Sequence, residues 1–256
     1  MILTKAANGA RTLGKGSRGR AGETKSSGII YRGPSLIDGA PIVVIATYSD
    51  ANSKTGTMVQ TYILRADMDP RDASKTGADV SICGDCPHRG TPTADPARKQ
   101  AKGRTCYVTL GHGVLITYRA FLRGVYADAQ TRDGRRALGR GRMVRIGTYG
   151  DPGAVPGFVW DDLIADAQGW TAYTHRAGWR PELAMQSADT LAQAQAHWQD
   201  GRRTFRVVLD LGEIQHAQEV LCPASKEAGR RTTCAACKLC AGTATRSPKS
   251  VAIVMH

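Results

Sequence analysis

Long apolar runs are missing from this 256-residue chain. No stretch approaches the roughly 20 residues of a membrane-spanning helix. The N-terminus, MILTKAANGARTLGKGSRGR, has no apolar core long enough for a secretory signal, so a cytoplasmic protein without a membrane partner is expected. Aromatic residues are also scarce, at 6% and scattered, which argues against a stacking platform for single-stranded nucleic acid. Acids are in the minority, 22 against 35 Lys and Arg. The resulting charge of +13 favours polyanionic partners, nucleic acid first and anionic cofactors or phosphates second.

What is present suits a globular protein, with 41% apolar and 22% charged residues. Residues 1–39 are rich in Gly, Ser, Lys and Arg and read as a flexible basic arm; residues 40–256 read as a single α/β metal-binding domain. Strands are expected at 41–48, 57–66, 106–110, 143–151, 170–175, 184–189, 205–210, 219–225 and 250–256. Helices are expected at 113–126, at 154–168 and after Asp189, and the stretch 67–105 reads as a long polar loop. Strands alternating with helices predict an α/β fold, either an incomplete (β/α) barrel or an open, mostly parallel sheet with long cysteine-bearing loops.

In such folds the strand ends converge on one edge, and here they turn polar together. Asp151, His175 and Asp189 are the candidate catalytic residues at that mouth, although either Asp could instead cap the following helix. Tyr149 and Tyr173 read as packing. The run RDGRRALGRGRMVR at 132–145 supplies Arg135, Arg136, Arg140 and Arg142 as candidate nucleic-acid contacts, the alternative being a solvated basic loop.

Seven cysteines fall into two groups. Cys234, Cys237 and Cys240 form a CxxCxxC run of the kind that holds four-iron clusters, and Cys222, just before Pro223, is the fourth thiolate. Four cysteines also make a tetrahedral zinc site, but zinc more often pairs two CxxC knuckles, so iron–sulfur is placed ahead of zinc. Cys83, Cys86 and Cys106 supply only three thiolates. Either His88 or His112 completes a zinc site there, or the group binds a cofactor cluster with one iron left open.

The ordered motifs NSKTG (52–56), CxxC, Cys106-Tyr107, GTYGDP, YTH, SAD, CPAS, CxxCxxC and a terminal IVMH resemble the phage gene product 88 family, cysteine-rich proteins for which a radical-SAM-like barrel is the expected fold. The resemblance covers residues 45 to 256 and implies a phage or prophage origin, a bacterial host cytoplasm and metal ligation by all seven cysteines, with Asp151 and His175 at the mouth. Radical-SAM enzymes usually hold their cluster with CxxxCxxC, and this chain has no such run. The expected function is an iron–sulfur, radical-SAM-like enzyme modifying nucleic acid or a nucleotide, with S-adenosylmethionine as a further candidate cofactor. The alternatives are a zinc-stapled nucleic-acid-binding protein without catalysis and a zinc-bearing, transglycosylase-like base-modifying enzyme in which an Asp is the nucleophile.

Overall fold

The computed structural model describes residues 27–49, 52–229, 231–245 and 247–255. Most of the basic arm (1–26) and His256 therefore lie outside the described residues.

Among the described residues, eleven strands make two sheets. The first contains β1 (Ser27–Pro34), β2 (Pro41–Ser49), β3 (Met58–Arg65), β4 (Ala127–Asp128), β5 (Met143–Tyr149) and β6 (Gly169–Thr171), in the order β4-β1-β2-β3-β5-β6. Its β1–β2 and β2–β3 pairs are antiparallel and the other three parallel. The second contains β7 (Tyr173–Thr174), β8 (Met185–Ala188), β9 (Thr204–Val208), β10 (Glu219–Leu221) and β11 (Ser250–Val254), in the order β10-β11-β9-β8-β7, all parallel. Only Ala172 separates β6 from β7, so one extended segment pairs with β5 in the first sheet and with β8 in the second. The Ala172 carbonyl accepts from Met185 N at 3.0 Å across this seam. The α/β class expected from the sequence is thus observed.

Among the described residues, seven α-helices flank the strands: α1 (Pro70–Thr76), α2 (Val80–Cys83), α3 (Leu115–Leu122), α4 (Arg132–Gly139), α5 (Gly157–Ile164), α6 (Leu191–Gln199) and α7 (Cys234–Cys237). None is long and apolar enough to cross a membrane. The main core is built on Ile42, Val44, Ile63, Ile146, Trp160 and Leu163, all fully buried. At the contact between α4 and α5 a Cβ on Gly139 would lie 1.8 Å from the Leu163 carbonyl oxygen, so only glycine permits that approach.

Several expectations are corrected. The arm does not extend to residue 39: Ser27–Pro34 pairs along β2 and with β4, burying Ile30 completely. The stretch 67–105 holds α1 and α2 rather than loop alone; Asp69 caps α1, Pro70 occupies its first turn and Gly77 closes it in the left-handed conformation. Residues 106–110 form no strand, because Arg104 takes up the carbonyls of Cys106 (3.1 Å) and Val108 (2.8 Å).

Part of the basic run is tied into the fold. Arg135 is buried; it pairs with Asp162 at 3.0 Å and donates to the carbonyls of Ile30 and Gln130. Arg136 pairs with Asp166 at 2.8 Å, and Arg140 meets the same carboxylate at 3.5 Å. Arg142 donates to the Leu138 carbonyl and lies over the Tyr48 ring, 4.8 Å from its centre. Two carboxylates, Asp162 and Asp166, thus match part of this charge, while the Arg140 side chain stays 64% exposed.

Candidate functional site

The strand ends converge as parallel topology requires. β5 ends at Tyr149, and Gly150 (φ +87°) turns the chain where a Cβ would meet Ile63 Cβ at 2.7 Å. Asp151 follows, buried, with its backbone N–H on the Ile82 carbonyl at 2.6 Å. Its carboxylate accepts from Gly153 N (2.8 Å), Thr174 Oγ1 (2.9 and 3.0 Å) and His175 N (2.8 Å). Burial raises the Asp151 pKa, and the two backbone donors with Thr174 oppose that rise. Both oxygens are engaged, so Asp151 ties the ends of β5 and β7 to α2 and acts as a positioning residue behind His175, not as a group open to substrate.

Asp151 thereby also caps the short 3-10 turn Pro152–Ala154, whereas Asp189, at the end of β8, is not a helix cap. Thr190 caps α6, with Gln193 completing a reciprocal capping box. That leaves the Asp189 carboxylate for two imidazoles: Oδ1 is 2.9 Å from His88 Nε2 and 3.5 Å from His175 Nε2. The two rings stand edge to face, 5.8 Å apart. Burial alone would lower the His175 pKa, but Asp189 and the Cys86 thiol outweigh it and push it up to about 10. The same imidazoles hold Asp189 well below the usual carboxylate range. His88, entering from a loop 101 residues away in sequence, is the member that strand-end reasoning missed. Its sole sequence signal was its place two residues after Cys86.

The three-thiol group adjoins this cluster. Cys83, at the end of α2, is within electrostatic reach of Cys86, Cys106, Asp79 and Asp151; burial pushes its thiol well up and these neighbours add to the effect. Burial also raises Cys106, against the pull of Arg104. The His88 carbonyl accepts from Cys106 N at 3.1 Å, which tethers Cys106 beside the CxxC. His112 is exposed on the turn Leu110–Val114. The His88 ring points to Asp189 and His175, so neither histidine completes the thiol set in the way the sequence suggested.

Cys222, Cys234, Cys237 and Cys240 come together near the seam between the sheets. Cys222 follows β10, with its N–H on the Ala252 carbonyl at 2.8 Å. Cys234 and Cys237 bound α7, which Thr233 caps. The NSKTG turn receives this helix, the carbonyls of Lys54 and Thr55 accepting from Cys234 N and Ala235 N at 3.1 and 2.9 Å. Cys240 is buried beside Tyr173, and its carbonyl accepts from Ala172 N at the seam between the sheets. Burial drives its thiol up to about 12, with Cys222, Cys234 and Cys237 adding to the rise. Arg145 and Lys54 face Cys234 as offsetting cations. Arg203, buried, clamps the outgoing loop through the carbonyls of Leu239, Gly242 and Lys249.

Among the described residues, the one set of three or more metal-ligating side chains with donor atoms all within 4.8 Å of one another is His88, His175 and Asp189. The thiols of each cysteine group lie within electrostatic reach of one another, a donor set that zinc and an iron–sulfur cluster both accept. Comparison with protein-family models, with curated proteins and with solved structures returns no match to this chain.

Proposed function

We propose that this protein is an iron–sulfur enzyme of radical-SAM-like arrangement, acting on nucleic acid or a nucleotide in the cytoplasm of a phage-infected or prophage-bearing bacterium. The observation that carries it is the gathering of all seven cysteines into a set of three and a set of four. Cys83, Cys86 and Cys106 would hold the catalytic cluster, and Cys222, Cys234, Cys237 and Cys240 an auxiliary one.

A cluster bound by three thiolates keeps one iron free to take substrate or S-adenosylmethionine. Around it the chain's own residues have definable work. Asp151 fixes the backbone of His175, Asp189 holds His175 and His88 together, and Arg104 offsets charge on Cys106. The two sheets, joined at Ala172 and unpaired between β4 and β10, are read as the incomplete barrel that carries this mouth. The nucleic-acid assignment rests on the net charge of +13.

Anaerobic purification followed by absorption spectroscopy and iron, sulfide and zinc analysis tests the reading. A brown protein whose visible absorption bleaches on reduction, with iron and sulfide in equal amounts, is expected. A colourless protein with stoichiometric zinc overturns it and leaves the second reading, a zinc-stapled nucleic-acid-binding protein. The Arg203 clamp and the docked NSKTG turn favour that second reading, since both serve to fix a cysteine loop in place.

A further inference from the structure

The cluster of His88, His175 and Asp189 has a donor set unlike either cysteine group: two imidazole nitrogens and one carboxylate oxygen. We propose that these three side chains bind one divalent transition-metal ion of the zinc and iron(II) class, with its remaining coordination positions turned toward the adjoining cavity. The site adjoins the three-thiol group at Cys86 but uses other ligands, and it does not depend on the thiols carrying iron–sulfur clusters.

Distances give the first argument. A metal with bonds of about 2.0–2.1 Å in tetrahedral geometry has ligand atoms about 3.3 Å apart, and in octahedral geometry about 2.9 Å. The two recorded edges are 2.9 and 3.5 Å, and all three donor atoms lie within 4.8 Å of one another. The second argument is polarity. His175 Nε2 is buried and makes no hydrogen bond of acceptable geometry, although it points at Asp189. His88 Nδ1 is 2.9 Å from Thr105 Oγ1. When Nδ1 donates to that hydroxyl, Nε2 faces the Asp189 carboxylate, and either a proton or a metal ion lies between them.

The supports are those of a built metal site. Thr105 orients His88, Asp151 fixes the His175 backbone, and Thr190 relieves Asp189 of capping α6. Two imidazoles and a carboxylate leave positions open, as catalytic zinc and non-haem iron(II) sites do. On the open side lies a cavity of about 640 Å³ that His88 and Asp189 line together with Leu191, Leu209 and Met255. Leu209 and Met255 are strongly exposed for apolar side chains. The ligand that fits presents an oxygen donor to the metal and an apolar or flat body to this wall.

Cobalt(II) reads the donor set directly. The full-length protein, with its thiol-bound metal already counted, is titrated with Co2+ and followed by absorption. One equivalent is expected to give weak d–d bands without an intense sulfur-to-cobalt charge-transfer band. Asp189→Ala and His88→Ala should abolish that uptake while the thiol-bound metal and far-UV circular dichroism stay unchanged. Thr105→Val keeps all three ligands and should weaken cobalt affinity about tenfold or more, so it decides the matter where an alanine variant fails to fold. Absence of nitrogen- and oxygen-ligated cobalt in the wild type, or equal uptake in wild type and variants, overturns the proposal. The thiol-bound metal is measured in the same samples, so failure of the iron–sulfur reading and failure of this one give different results.

Discussion

Replacing Asp151 by Asn exchanges one carboxylate oxygen for an amide NH2 and tests whether this carboxylate is structural. Asn can keep one oxygen toward Gly153 N and Thr174 Oγ1, but its amide nitrogen must then face His175 N, now 2.8 Å from a carboxylate oxygen. A buried backbone donor left without a partner costs about 1–3 kcal/mol, and each remaining bond loses about 1 kcal/mol on passing from a charged to a neutral acceptor. Asp151 is 6% exposed, so water does not replace what is lost, although relief from burying a charge offsets part of it. A net loss of about 3 kcal/mol follows, equivalent to about 6–12 °C in melting temperature for a chain of this size. Thermal unfolding of wild type and variant by circular dichroism reads it. Thr174→Val measured alongside should be non-additive with Asp151→Asn, because the two share a hydrogen bond. A melting temperature within about 2 °C of wild type would refute the argument and return Asp151 to the list of groups free to act on substrate.

The Arg206–Glu219 pair is buried and bidentate, at 2.9 and 2.6 Å, and Glu219 also accepts from Gln215 N. Glu219→Ala should therefore destabilise by about 3–5 kcal/mol in chemical denaturation, whereas Arg206→Met with Glu219→Leu should recover most of that loss. Gly139→Ala should cost about 1–3 kcal/mol or more by forcing α4 from α5, measured by the same unfolding curves. Arg135→Gln should lower the melting temperature yet leave the salt dependence of DNA binding unchanged, since that guanidinium is spent on Asp162 and two carbonyls. A reduced salt slope would show that the arginine reaches phosphate.

Much of the second half of the fold was legible because its strands are compact β-branched or apolar runs ending in polar residues: FRVVLD, SVAIVMH and MVRIGTYGD. The first half was harder. Ser27–Pro34 hides among Gly and Arg, and what makes it a strand is β2 on one side and β4 on the other, contacts invisible to local reading. The signals for α1 were present in DPRDASKTG, with cap, proline and closing glycine in place, but a polar surface masked them. In α4 an arginine fills a buried position, so an amphipathic helix reads as a charge run. For the site, cysteine spacing foretold both thiol groups. The meeting of His88 with Asp189 did not show, because it depends on how a loop lies over the end of a distant strand.

The seam at Ala172 has a consequence for how the protein comes apart. Its N–H is held by the Cys240 carbonyl and its carbonyl by Met185, so the thiol loop and the second sheet are fastened to the same residue. An ion or cluster on the four thiols, as proposed above, would thereby brace the second sheet against the first. Amides of β8, β9 and β11 should exchange with solvent deuterium only through global opening while it is bound, and through a separate, cheaper opening of the second sheet once it is removed.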